Sequence, residues 1–141
     1  MRILVIDDSQ DITDLLVKVL SAIGHEVVAS DNGKEGLMLA RDQKFDAIFL
    51  DIAMPHFSGL DFINALEQEG KMKDGSNKIV LFTASSITDE EVNELIKRGV
   101  HSCIRKPMQI ETLFEKIDEL DREKGREETG VTAASDHKHI D

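Results

Sequence analysis

The chain is short of three things. A single cysteine, Cys103, stands among 141 residues, so no internal disulfide can form and a reducing cytoplasm fits. No apolar run approaches the ~20 residues that a membrane span needs. The apolar start at residues 1–6 lacks the long hydrophobic region and small-residue cleavage site of a secretory signal. Positive charge is also scarce: 17 Lys and Arg against 28 Asp and Glu leave a net −11. That excludes nucleic acid or an anionic membrane as a partner held by bulk electrostatics.

What is present suits one globular domain with one substantial core: 40% apolar and 32% charged residues, with no internal repeat. Short apolar runs predict strands at 2–6, 26–30, 46–50, 78–82 and 100–104. Ile12, Leu15, Leu16, Val19, Leu20 and Ile23 recur at the spacing of one helix face, with Ser9 as N-cap and Gly24 as terminator. Weaker helical patterns cover about 33–43 and 59–69. Over 88–98, Thr88 and Glu91 are spaced for a capping box, Ile87 and Val92 for a hydrophobic staple, and Gly99 ends the helix. A last amphipathic helix uses Ile110, Leu113, Phe114, Ile117 and Leu120.

Strand–helix alternation repeated five times predicts a doubly wound, flavodoxin-like α/β fold, since right-handed crossovers make the strands parallel. The runs at 2–6, 46–50 and 78–82 are almost wholly apolar, as strands covered on both faces should be. The mixed runs at 26–30 and 100–104 suit the edges, giving the order 2-1-3-4-5 with helices on both faces. The domain is expected to cover 1–121. Residues 122–141 have little apolar content and no periodicity, which predicts a disordered tail.

In such a sheet ligands bind beyond the carboxyl ends of the strands. Asp7 and Asp8 follow the first strand, Asp51 the third, Thr83 the fourth, and Arg105, Lys106 and Pro107 the fifth. Carboxylates that converge must either raise a pKa or hold a cation. An all-oxygen set favours a hard ion, Mg²⁺ before Ca²⁺ or Zn²⁺. A lysine and a hydroxyl on the same rim are what a transferred phosphoryl group needs, and a lone carboxylate can be its acceptor. Asp51, alone on the central strand, suits that role, while the pair Asp7–Asp8 suits the metal.

The motifs LVIDDS, FLDIAMPHFSGL, VLFTAS and IRKP, in that order over roughly residues 1–121, resemble those of a response-regulator receiver domain, the phosphoacceptor module of two-component signalling. The resemblance implies that Asp51 is phosphorylated by a sensor histidine kinase or histidine phosphotransfer protein. It implies direct Mg²⁺ binding by Asp8, water-mediated binding by Asp7, and a ligand from the Ala53 backbone carbonyl beside Asp51. Thr83 and Lys106 would engage the phosphoryl oxygens, and the Lys106–Pro107 bond would be cis. The chain would catalyse only its own phosphorylation and dephosphorylation. With no output domain in the sequence, it is expected to act as a stand-alone receiver that signals to a protein target, itself not identifiable from sequence.

Members of that family carry Tyr or Phe three residues before the lysine as a rotamer switch coupled to the threonine. Here Cys103 stands there; a thiol cannot swing a ring, and it reads as a small buried hydrophobe. Ala53 and Ser85 are small where larger polar groups often flank the attacking water. His56 reads as a loop residue, and His137 and His139 as solvated. Lys97, Arg98, His101 and Arg105 form a basic cluster in an acidic chain, on the side that family members use for partners: a docking face or a solvated one. Two other readings compete. One is a pseudo-receiver that binds partners without phosphate. The other is a phosphatase of the haloacid-dehalogenase type, which would want a second Asp where Ala53 stands.

Overall fold

The computed structural model describes residues 1–72, 77–84 and 87–128, with 127 and 128 described by backbone alone. Ten elements alternate: β1 (Arg2–Ile6), α1 (Gln10–Ala22), β2 (Glu26–Ser30), α2 (Gly33–Asp42), β3 (Ala47–Asp51), α3 (Gly59–Gln68), β4 (Lys78–Thr83), α4 (Asp89–Lys97), β5 (Ser102–Arg105) and α5 (Ile110–Glu128). The five strands are parallel in the order β2-β1-β3-β4-β5. Among the described residues, no helix is long and apolar enough to cross a membrane.

Successive side chains of a strand point to opposite faces, so each central strand feeds two cores. Leu4, Ile6, Ile48, Leu50, Ile79, Leu81 and Cys103 pack on one side with Leu37 of α2, Phe62 and Leu66 of α3, and Val92 and Leu95 of α4. Ile3, Val5, Phe49, Val80, Phe82 and Ile104 pack on the other with Leu16 and Leu20 of α1 and Leu113, Ile117 and Leu120 of α5. Cys103 is fully buried, as read from sequence.

The predicted caps form. Ser9 accepts from the Ile12 N–H, and Thr88 and Glu91 complete a reciprocal capping box at α4. A second box, Ser58 with Asp61, starts α3; sequence reading passed over it because the residue at N3 is Asp rather than Glu.

Three sequence expectations need correction. The apolar stripe of α1 is wider than its contact with the sheet: Leu16 and Leu20 are buried, but Leu15 and Ile23 are 44% and 47% exposed, and Thr13 takes a buried place. Ile110 and Phe114 on α5 are likewise partly exposed. β5 begins at Ser102 rather than at 100, because the His101 N–H donates to the Ile79 carbonyl and the ladder starts at Ser102 opposite Val80.

The third concerns the chain end. Residues 122–128 are not a tail; they continue α5. Apolar periodicity stops there because this stretch is held by polar contacts. Glu123 lies 2.7 and 2.8 Å from Nε2 of the buried His101, and Lys124 lies 3.3 Å from Asp46. Residues 129–141, with His137 and His139, lie outside the described residues. A chain ended at Asp121 is expected to be about 2 kcal/mol less stable than one ended at Glu128, because a buried histidine loses its partner. Urea unfolding of the two chains checks this; equal midpoints would show that the contact contributes nothing.

Candidate functional site

Parallel strands put the carboxyl ends of β1, β3, β4 and β5 on one rim. Asp7, just past β1, is buried, and Asp8 beside it is exposed. Asp51 ends β3 and is 5% exposed, while Thr83 ends β4 and is buried. Carboxylate oxygens of Asp7, Asp8 and Asp51 lie within 4.8 Å of one another. The structure therefore brings together the acidic residues proposed from sequence, although Asp7 and Asp51 are 44 positions apart.

Lys106, the first residue after β5, reaches into this group. Its Nζ donates to Asp7 Oδ2 at 2.9 Å and lies 3.6 Å from Asp51 Oδ2. The ammonium also sits 5.0 Å from the centre of the Phe82 ring, a cation–π contact that sequence reading did not anticipate. Backbone donors orient the acids: the Ala53 N–H donates to Asp51 Oδ1 at 3.1 Å, and the Ser9 N–H to Asp7 Oδ1 at 2.9 Å. The Lys106–Pro107 peptide is cis, and the Lys106 N–H donates to the Thr83 carbonyl at 2.8 Å.

Burial, and then the negative charge of Asp7, hold the Asp51 carboxyl above its ordinary range; Lys106 and the Ala53 N–H pull the other way. Such a cluster fits a hard divalent cation. Its donors are all carboxylate oxygens, two of the three acids are buried, and the ammonium of Lys106 supplies only one countercharge.

The loop from β3 to α3 carries Ala53 past the acids, and a glycine sets how closely it folds back. The Gly59 N–H donates to the Ile52 carbonyl at 3.0 Å, and a Cβ on Gly59 would lie 2.6 Å from the Asp51 carbonyl oxygen. From sequence Gly59 marks only the start of a helix; a glycine eight residues after a strand-end acid is the signal for this close approach. His56 lies in this loop, exposed and with φ +66°. Ser85 lies outside the described residues.

The structure removes His101 from the basic cluster read from sequence and pairs the other three cations with carboxylates. His101 is 1% exposed, drawn inward by Glu123 and by Ser102 Oγ at 2.8 Å from its Nδ1. Lys97 pairs with Glu94 at 3.1 Å, Arg98 with Glu67 at 3.0 Å and Arg105 with Asp89 at 2.8 Å. In a chain of net charge −11, each of these cations finds a carboxylate nearby.

A five-stranded 2-1-3-4-5 sheet with an acidic pocket and a lysine at its carboxyl rim defines a class: signalling modules of the CheY type rather than conventional enzymes. Residues 3–118 match the model of the response regulator receiver domain family, and the chain belongs to that family. It is 31% identical over 117 residues to Protein PilH of Pseudomonas aeruginosa, covering 83% of this chain and 94% of PilH. Among solved structures, chemotaxis protein CheY4 of Vibrio cholerae superposes with a TM-score of 0.74 at 28% identity, over 84% of this chain and 97% of CheY4. Response regulator TrrA of Thermotoga maritima, in complex with Mg²⁺-BeF, superposes with a TM-score of 0.70 at 32% identity, over 84% and 97%. The chain is thus a receiver of two-component signalling, and neither the phosphatase nor the phosphate-independent reading finds support.

Proposed function

We propose that Asp51 is the phosphoacceptor, and that it takes its phosphoryl group from a phosphohistidine on a sensor kinase or phosphotransfer protein. The observation that carries this reading is the convergence of Asp7, Asp8 and Asp51 within 4.8 Å, with Lys106 reaching over Asp7 and Asp51. A carboxylate oxygen of Asp51 attacks phosphorus, forming the O–P bond as the P–N bond breaks and the imidazole leaves with its electron pair. The Ala53 N–H holds Asp51 Oδ1 in place, leaving Oδ2 on the side of Lys106. Lys106 then moves its charge from the acids to the phosphoryl oxygens, and the Thr83 hydroxyl donates to them.

Asp7, Asp8, Asp51 and the Ala53 carbonyl would hold Mg²⁺, and the Mg²⁺-BeF complex of TrrA supports that assignment. Bound there, the ion would neutralise charge developing on the transferring group. A buried thiol at Cys103, in no disulfide, suits a reducing cytoplasm. Phosphorylation would shift an equilibrium between two placements of the segment after Thr83, read by a downstream protein.

Incubation with Mg²⁺ and acetyl phosphate is expected to raise the intact mass by about 80 Da, one phosphoryl group. The gain should be absent from Asp51→Asn. An equal gain in Asp51→Asn would place the phosphoryl group elsewhere and overturn the assignment.

A further inference from the structure

A chain with Cys103 in place of an aromatic switch needs another link between β5 and the start of α4. Cys103 is fully buried in the same core cluster as Val92 and Leu95, so it has no surface position to leave or enter. Arg105 spans that gap. It is the last residue of β5, and the sheet register sets it opposite Thr83. Its guanidinium donates to the Ile87 carbonyl at 3.0 Å and to Asp89 Oδ1 at 2.8 Å. Ile87 precedes the N-cap of α4 and packs on the core; Asp89 is the first residue of that helix. One side chain therefore pins both sides of the N-cap of α4.

The helix does not need this pin in order to form. Thr88 and Glu91 cap it by themselves, the side chain of each accepting from the backbone N–H of the other. The contacts of Arg105 thus add to where α4 begins, not to whether it exists. Movement of Thr83 toward a group on Asp51 would draw on the chain that follows it, and a chain pinned at Ile87 and Asp89 resists that draw.

We propose that Arg105 is a positioning residue, a clasp that holds the entry to α4 in its unphosphorylated placement and must yield when Thr83 engages a phosphoryl group. This rests on the phosphoacceptor reading above. The clasp opposes phosphorylation, so loosening it favours the phosphorylated form, by the reciprocity of coupled equilibria.

The test is the affinity for beryllofluoride, a phosphoryl mimic, measured by calorimetry in saturating Mg²⁺. Arg105→Ala is expected to bind about fivefold tighter than wild type, the lower end of usual coupling between sites. Asp89→Asn, a change at an exposed side chain, should shift affinity in the same direction, and should add little in the Arg105→Ala background. Arg105→Lys, which keeps the charge, should fall between wild type and Arg105→Ala. A residue with only a structural role would weaken binding on removal, so tighter binding separates the two. If wild type binds and Arg105→Ala binds equally or more weakly, the clasp is overturned and the phosphoacceptor reading stands. If wild type takes no beryllofluoride, the phosphoacceptor reading falls and the clasp with it.

Discussion

Lys106→Met is expected to lower the rate of phosphorylation by acetyl phosphate about 100-fold, the scale of losing one preorganised charge at a transferring group. Methionine keeps an aliphatic stem beside Phe82 and removes the ammonium 2.9 Å from Asp7 and 3.6 Å from Asp51. The same change should cost about 3 kcal/mol of stability in the metal-free protein, because it strands buried carboxylates without their countercharge. The cost should depend on pH, with a defined sign. Asp51 is already held above its ordinary range by burial and by Asp7, and Lys106 opposes that rise. A carboxyl with a raised folded-state pKa is destabilising above that pKa, and the penalty is relieved as pH falls through it. The deficit of Lys106→Met in a chelator should therefore be greatest near neutral pH and shrink on acidification as Asp51 takes up a proton. Urea unfolding at a series of pH values measures it; a deficit constant with pH would mean that the lysine acts through packing and not charge.

Gly59→Ala is expected to cost about 3 kcal/mol, the upper end of overpacking costs. The new Cβ would lie 2.6 Å from the Asp51 carbonyl oxygen and 2.7 Å from the Ile52 Cα. Both are backbone atoms, so relief requires moving the end of β3 or the start of α3. Either movement displaces the acceptor, and phosphorylation should fall together with stability. Gly36 provides the contrast. There the three nearest atoms to a Cβ all belong to the Ile6 side chain, the closest at 2.5 Å, and that side chain can rotate. Alanine also favours a helix interior over glycine by about 1 kcal/mol, offsetting part of the clash. Gly36→Ala should cost about 1 kcal/mol and leave phosphorylation within about twofold. Thermal melts beside intact-mass time courses compare the two. Equal losses in both variants would mean that the close approach at Asp51 is not what Gly59 provides.

Much of this fold was legible because its signals are local. Apolar runs marked the buried strands, and the runs at 2–6 and 26–30 match β1 and β2 residue for residue. Ser9, Thr88 and Glu91 announced helix starts by side-chain chemistry acting over three positions. The acids of the site were legible for a related reason: each stands at the end of an apolar run, and parallel strands bring such ends to one rim.

Partnership across the chain was not legible. His101 read as part of a basic surface until folding placed Glu123, 22 positions on, against its ring; the same contact turned an expected tail into the last two turns of α5. Arg105 read as one more cation until Ile87 and Asp89 met it. Gly59 read as a helix start until the backbone of Asp51 and Ile52 closed over it and left no room for a Cβ. The order of residues along the chain decided which segments are strands and helices and which acids end them, because hydrophobic period and capping act over a few residues. Which charges are exposed, which are neutralised and how tightly the acceptor is enclosed depended on atoms brought together from distant positions, and only packing in three dimensions creates those distances.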